Sequence, residues 1–174
     1  DWSSDVCSSD LRGMDARWAL VAYGGNDSDF DWASIAADPE GDHRPRTELP
    51  EFLSKLKQTV TELARVGVQP VLMTLPPIDG ARYLDYICRG GLSRDSIMRW
   101  LGDVGCIYRH QELYSDTVAS FAMREGLPLI DVRRRFLPQR DLSELISADG
   151  IHLTMPGYRQ LFDTLAQWVV PQLA

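Results

Sequence analysis

Three observations predict an α/β fold built on a parallel sheet. Short apolar runs lie at 18–23, 69–75 and 127–132, each closed by glycine, proline or a polar residue. Between them run longer stretches whose apolar residues recur at helical spacing. Strand, helix and strand at this spacing make a βαβ unit, which brings a parallel pair and a right-handed crossover. No internal repeat and no linker divides the chain, so a single domain is expected over 12–174.

The run Trp18-Ala19-Leu20-Val21-Ala22-Tyr23 reads as a buried strand stopped by Gly24-Gly25. Ser28-Asp29-Phe30-Asp31-Trp32 then mixes acids with two aromatics, and an acidic loop over 38–46 follows. Thr47 is the expected N-cap of a helix in which Leu49, Phe52, Leu53, Leu56, Val60, Leu63 and Ala64 share a face. Gly67 ends it, and 69–75 is the second strand, stopped by Pro76-Pro77. Residues 79–125 are expected to be mostly helical. Ser93 is a cap for one helix that Gly102 ends. Ile107, Gln111, Tyr114, Val118 and Phe121 share a face of a longer one ending before Gly126. His110 lies off that face and reads as a surface residue. His43, in the acidic loop, has no evident partner. Residues 127–132 form the third strand, and Asp141 can cap a short helix through Leu142, Leu145 and Ile146. Last comes an amphipathic helix carrying Tyr158, Leu161, Phe162, Leu165, Trp168 and Val169, with Thr154 as N-cap and Pro156 in its first turn.

Composition narrows the function classes. With 174 residues, 44% of them apolar and 25% charged, the chain can bury a sizeable core. A net charge of −7 argues against nucleic acid or an anionic membrane surface as partner. Arg133-Arg134-Arg135 is the one basic run and reads as a solvated helix start. No apolar stretch approaches membrane-spanning length. Cys7, Cys88 and Cys106 form no C-x-x-C and have no histidine at ligand spacing, so no metal site is expected.

Residues 1–11, Asp1-Trp2-Ser3-Ser4-Asp5-Val6-Cys7-Ser8-Ser9-Asp10-Leu11, resemble the in-frame translation of a short-read sequencing adapter. They are therefore left out of fold reasoning, as a vector scar would be. It follows that the natural N-terminus, and with it any targeting signal, is expected to be missing.

Two short blocks carry the chemistry. Gly24-Gly25-Asn26-Asp27 stands where a parallel strand ends, and Asp149-Gly150-Ile151-His152 stands in a turn before the last helix. A carboxylate three residues before an imidazole can hold Nδ1–H and leave Nε2 free to take a proton. Asn26, the chain's single asparagine, offers neutral N–H donors suited to a developing oxyanion, and the glycines let a substrate approach the backbone. Each block alone also fits a plain polar turn whose side chains bond their own backbone.

Together, G-x-N-D after a strand and D-x-x-H before the closing helix resemble the SGNH (GDSL-type) hydrolase family over essentially 12–174. The resemblance implies a three-layer α/β/α, flavodoxin-like parallel sheet, with 18–23, 69–75 and 127–132 as its third, fourth and fifth strands. It implies His152 as general base, Asp149 as its orienting carboxylate and Asn26 as oxyanion-hole donor. Gly24, Gly25 and Asp27 are then structural residues beside the site, and Phe30 and Trp32 candidate pocket walls. The family's G-D-S block, with the nucleophilic serine, and its second block, with a glycine donor, have no counterpart before Gly24. Ser8-Ser9-Asp10-Leu11 reverses the Ser–Asp order inside the adapter-like stretch, which rules out Ser9. The resemblance thus implies an incomplete domain, without its first strand–helix–strand portion and without a nucleophile. The parent would be a serine ester hydrolase using no metal or organic cofactor, acting on a small-molecule ester or an acylated carbohydrate, while this chain would be inactive. An alternative is a non-catalytic module of the same fold that binds glycans or acyl chains. A more remote one is a generic flavodoxin-like domain, in which Asn26 and His152 would lie far apart.

Overall fold

The structure, a computed structural model, describes residues 16–173. The stretch 1–11, with Cys7 and Ser9, lies outside them. In chain order the elements are β1 (Trp18–Val21), α1 (Trp32–Ala37), α2 (Leu49–Arg65), β2 (Gln69–Met73), α3 (Gly80–Cys88), α4 (Arg94–Leu101), α5 (Gly105–Glu125), β3 (Leu129–Ile130), α6 (Arg133–Phe136), α7 (Leu142–Leu145) and α8 (Met155–Val169). The three strands lie in the order β1-β2-β3 and both pairings are parallel.

Pleating divides β2 between two cores, since successive side chains point to opposite faces. Leu72 points to one face, where it meets Val21, Phe52 and Leu56 of α2, and Tyr114, Val118 and Phe121 of α5. Val71 and Met73 point to the other, packing with Ile130, Val132, Phe136 and Leu153, which α8 covers through Leu161, Leu165 and Trp168. Helices on both faces of a parallel sheet make the three-layer α/β/α arrangement that was expected. A third cluster, of Phe30, Trp32, Ile35, Tyr83, Leu84, Ile97 and Ile107, joins α1, α3, α4 and the start of α5. Fully burying a Leu, Ile or Phe side chain contributes roughly 1.5–3 kcal/mol, so each cluster is a substantial fraction of the stability.

Several expectations need correction. Thr47 does not cap α2. The helix starts after Glu48 with no side-chain cap, one residue beyond Thr47, whose backbone is pinned to the 24–29 turn and α5: its N–H donates to the Asp27 carbonyl and its carbonyl accepts from the Tyr114 hydroxyl. Helix α1 was not foreseen. Asp31 starts it by accepting from the N–H groups of Ala33 and Ser34. The third strand spans 129–130 rather than 127–132. Pro128 has no N–H to donate, and at its other end Asp131 turns away to accept from Thr74 Oγ1 and Arg134 N. The apolar stripe of α8 is only partly covered, with Tyr158 and Phe162 at 49% and 69% exposure. A helix lying over a two-residue edge strand contacts it with one row of side chains and leaves the neighbouring row outside.

His110 is not a surface residue. It packs between Phe30 and Tyr114, and burial pushes its pKa down. His43 has a partner after all, a 2.6 Å hydrogen bond between its Nε2 and the Asp38 carbonyl. The caps expected from Ser93 and Thr154 are formed, through the N–H groups of Ser96 and Gly157. The triple-arginine run is the start of α6, as expected.

Candidate active site

The turn 149–152 is built largely from its own hydrogen bonds. Asp149 Oδ1 accepts from Ser147 Oγ at 2.5 Å and from the N–H groups of Ile151 and His152, both at 3.0 Å. Its Oδ2 lies 2.7 Å from His152 Nδ1. Partial burial works against the charge on Asp149. The bonds from Ser147, from the His152 N–H and ring and from Ile151 outweigh it, and hold the carboxyl well below the usual carboxylate range. An ionised carboxylate only accepts, so Nδ1 carries a ring proton, and in the neutral ring Nε2 is the acceptor nitrogen. Ser147 and Gly150 close the turn through Ser147 N to the His152 carbonyl and Gly150 N to the Ser147 carbonyl.

Gly150 anchors this turn to the rest of the fold. Its φ is +82°, and a Cβ there would stand 2.4 Å from Tyr83 N and 2.5 Å from the Asp79 carbonyl oxygen. Only glycine allows so close a seat on the N-terminus of α3. Asp79 N donates to the Gly150 carbonyl at 2.8 Å, and Arg82 reaches across to the carbonyls of Ser143 and Ile146.

The turn 24–29 follows β1. Gly24, at φ +118°, is packed so that a Cβ would meet Leu75 and Tyr114 side chains at 3.2 and 3.3 Å. Gly25 is open, with nothing near the place of a Cβ. Asp27 holds the turn through its backbone carbonyl, which accepts from Thr47 N. Tyr114, fully buried, donates its hydroxyl to the Thr47 carbonyl at 2.5 Å. Burial first, then the charges of Asp27 and Glu48, push its pKa up to about 12, so the phenol stays a donor.

These two turns border one cavity of about 220 Å³, lined by Gly25, Asn26 and Ser28 from the first and Ile151 and His152 from the second. A generic flavodoxin-like domain with the two side chains far apart is therefore not what the chain forms. Phe30 and Trp32 line the same cavity while belonging to a core cluster. Asp149 stays behind His152, outside the lining. Ser28, 7% exposed, spends its hydroxyl hydrogen on the Gly25 carbonyl at 2.9 Å. Among the described residues no hydroxyl is hydrogen-bonded to His152 Nε2, and no group of three or more His, Cys, Asp or Glu side chains is placed to hold a metal ion. Cys88 and Cys106 are free thiols.

Asp29, Tyr83 and Gln111 are among the residues of this cavity that sequence reasoning missed. Asp29 Oδ1 accepts from Trp32 Nε1 and from Tyr83 Oη, each at 2.8 Å. Burial, then the Asp29 charge, pushes the Tyr83 pKa well above the ordinary phenol value. Gln111, 6% exposed, donates from Nε2 to the Pro76 carbonyl at 3.0 Å. No local pattern points to Asp29 or Tyr83, which meet across 54 positions. For Gln111 a signal existed, a polar side chain within the apolar stripe of α5.

No family model matches the chain. A GDSL esterase/lipase of Arabidopsis thaliana, CPRD49, is 26% identical over an alignment of 141 residues that covers 79% of this chain and 48% of that protein. Among solved structures, a lipase/acylhydrolase from Enterococcus faecalis superposes with a TM-score of 0.57 at 16% identity, over 90% of this chain and 62% of that one. LAE5, an α/β hydrolase enzyme from the metagenome of Lake Arreo, Spain, gives 0.57 at 20% identity, over 87% and 58%. A GDSL-like lipase from Bacteroides thetaiotaomicron gives 0.55 at 13%, over 90% and 63%. The chain thus spans about half the length of the curated relative and about three fifths of these solved chains. The likeness to SGNH/GDSL-type hydrolases first drawn from G-x-N-D and D-x-x-H is upheld on both counts, in sequence and in fold.

Proposed function

We propose that the whole protein of which this chain is part is a serine ester hydrolase, and that these residues supply the base side of its site. The observation that carries this is the 2.7 Å Asp149 Oδ2–His152 Nδ1 bond on a turn whose histidine borders the same cavity as Asn26. With Nδ1 protonated and held, His152 Nε2 takes the proton from an attacking serine hydroxyl and returns it to the leaving alkoxide. Asn26 donates from its side-chain amide to the oxyanion of the tetrahedral intermediate. Asp149 acts through His152, as a positioning residue that also stabilises the imidazolium. Among the described residues no hydroxyl is hydrogen-bonded to His152 Nε2, and that of Ser28 is committed to a carbonyl, so the reading takes the serine from outside the described residues.

Hydrolysis of p-nitrophenyl acetate tests the reading. The whole protein is expected to turn the ester over, and His152→Ala to lower turnover on the order of a million-fold, as loss of a triad member does. The 174-residue chain by itself is expected to do no better than its own His152→Ala variant. Equal turnover by the whole protein and its His152→Ala variant would overturn the assignment of the base.

A further inference from the structure

Helix α7 runs into the turn that carries His152, and α8 leaves it. A helix of four residues satisfies almost none of its own carbonyls, so the end of α7 must find donors elsewhere. Two residues supply them. Arg82 Nη1, from α3, donates to the Ser143 carbonyl at 2.7 Å and to the Ile146 carbonyl at 2.8 Å. Thr154, the N-cap of α8, donates its hydroxyl to the Glu144 carbonyl at 2.7 Å and its N–H to the Leu145 carbonyl at 3.0 Å. An antiparallel bridge between Ile146 and Leu153 joins the two ends of the turn, so both move with α7. Arg82 is held in its own place by Asp79: its N–H donates to Asp79 Oδ1, and its Nε lies 3.5 Å from Asp79 Oδ2.

The turn is thus tied to α3 twice, directly where Gly150 sits on the α3 N-terminus and indirectly through α7 and Arg82. Bonds within the turn fix the His152 ring relative to Asp149. They do not set the angle at which the whole turn stands over the cavity. We propose that Arg82 sets that angle, as a positioning residue that places His152 Nε2 at the cavity by tying the end of α7 to α3. Its bearing on turnover rests on the ester-hydrolase reading. Without the Arg82 bonds the turn keeps its seat at Gly150 and can pivot there. His152 is two residues from Gly150, roughly 7 Å of chain, so a tilt of about 10° shifts its ring by about 1 Å. A misplacement of that size can cost about 10²-fold in rate, because proton transfer needs hydrogen-bond distance. Substrate binding feels it less, since apart from Ile151 the other lining residues lie within 25–32, 75–83 and α5.

Kinetics of the whole protein with p-nitrophenyl acetate test the proposal. Arg82→Met, which keeps the stem and removes the donors, is expected to lower kcat by about 10- to 100-fold with KM within about twofold. Both bonds come from one nitrogen, so the ammonium of Arg82→Lys can imitate them from one bond short. That variant is expected to lose only about threefold in kcat, again with KM unchanged. Arg94→Met removes an exposed ion pair with Asp85 and is expected to leave both constants alone. An Arg82→Met kcat within about twofold of the parent's, or a loss carried by KM, would overturn the proposal. So would Arg82→Lys no better than Arg82→Met, or an equal loss in Arg94→Met. If Arg82→Met does not fold, Arg82→Lys decides, and no loss in kcat or a loss in KM overturns the proposal. In the 174-residue chain, which needs no turnover, the His152 ring shifts in nuclear magnetic resonance are expected to move in Arg82→Lys while those of 24–29 stay. Unmoved His152 shifts would overturn the proposal as well. Moved shifts together with unchanged hydrolysis by the whole protein's His152→Ala variant would sink the hydrolase reading and leave the tie between Arg82 and the turn standing.

Discussion

The two turns that meet at the cavity are held by different means. The 149–152 turn carries its own support: one carboxylate collects a hydroxyl, two backbone N–H groups and a ring N–H within a span of six residues. The 24–29 turn has internal bonds of another kind, from Ser28 N, Ser28 Oγ and Asp29 N to the carbonyls of Gly24, Gly25 and Asn26, and none of them fixes the Asn26 side chain. Its position is set also from outside, by Leu75 and Tyr114 against Gly24 and by the backbone bonds joining Asp27 and Asp29 to Thr47 and Arg46. A histidine that must present one nitrogen in one tautomer needs local hydrogen bonds that set its ring. An amide donor such as Asn26 needs only a backbone placed at the right height above the strand, which remote packing can do.

The sharpest way to break this contrast is Gly150→Ala. The point where the self-supporting turn itself sits on a distant element is the seat of Gly150 on α3, and an added Cβ meets backbone there, which cannot rotate away. Positive φ and overpacking together should destabilise the fold by about 3 kcal/mol or more, or lift the turn off the α3 N-terminus. Thermal melting with the nuclear magnetic resonance shifts of His152 would show which. A melting midpoint within a degree of the parent with unchanged shifts would contradict the geometry.

Next in size is Tyr114→Phe, which tests the outside support of the other turn. It leaves the buried Thr47 carbonyl without its hydroxyl donor and should cost about 2 kcal/mol in a denaturant titration. Its effect is expected to fall on the 24–29 segment in hydrogen exchange and to leave 149–152 alone. Faster exchange at 149–152 would mean that the two turns are coupled more tightly than their contacts suggest.

The smallest effect, about 1 kcal/mol, is expected for Asp149→Asn, which keeps the shape and removes the charge. Its sign with pH is set by the direction of the Asp149 shift. The folded state holds this carboxyl below its unfolded value, so the stabilisation is fully present above about pH 4 and disappears as pH falls further toward the folded pKa. Melting midpoints of the parent and variant should therefore differ at neutral pH and converge in acid. A gap that widens in acid would contradict the assignment.

The legible and the illegible parts of this chain divide along the same line as the two turns. The D-x-x-H turn, the glycine stops at 67, 102 and 126, and the caps at Ser93 and Thr154 could be read because each is complete within a few residues. So could the apolar periods of α2 and α5 and the three strand positions, since burial on one or both faces imprints a period on the sequence. Thr47 shows where local reading fails: a good capping residue stands one residue short of the N-cap, its backbone pinned by Asp27 and Tyr114. The same holds for the cavity wall. Asp29 looked like one more acid in a polar loop until Tyr83 and Trp32 were seen around it, and Gln111 looked like part of a core stripe.

By itself the sequence determined the α/β class, the order of the three strands and of the main helices between them, and the pairing of Asp149 with His152, because periodicity and a three-residue offset are local properties that the backbone cannot rearrange. Only the tertiary structure decided that Asn26 and His152 share a cavity and that Asp29, Tyr83 and Gln111 furnish its wall. Those contacts join residues dozens of positions apart, and parallel pairing of β1, β2 and β3 is what carries the ends of the strands, and the turns beyond them, to one side of the sheet.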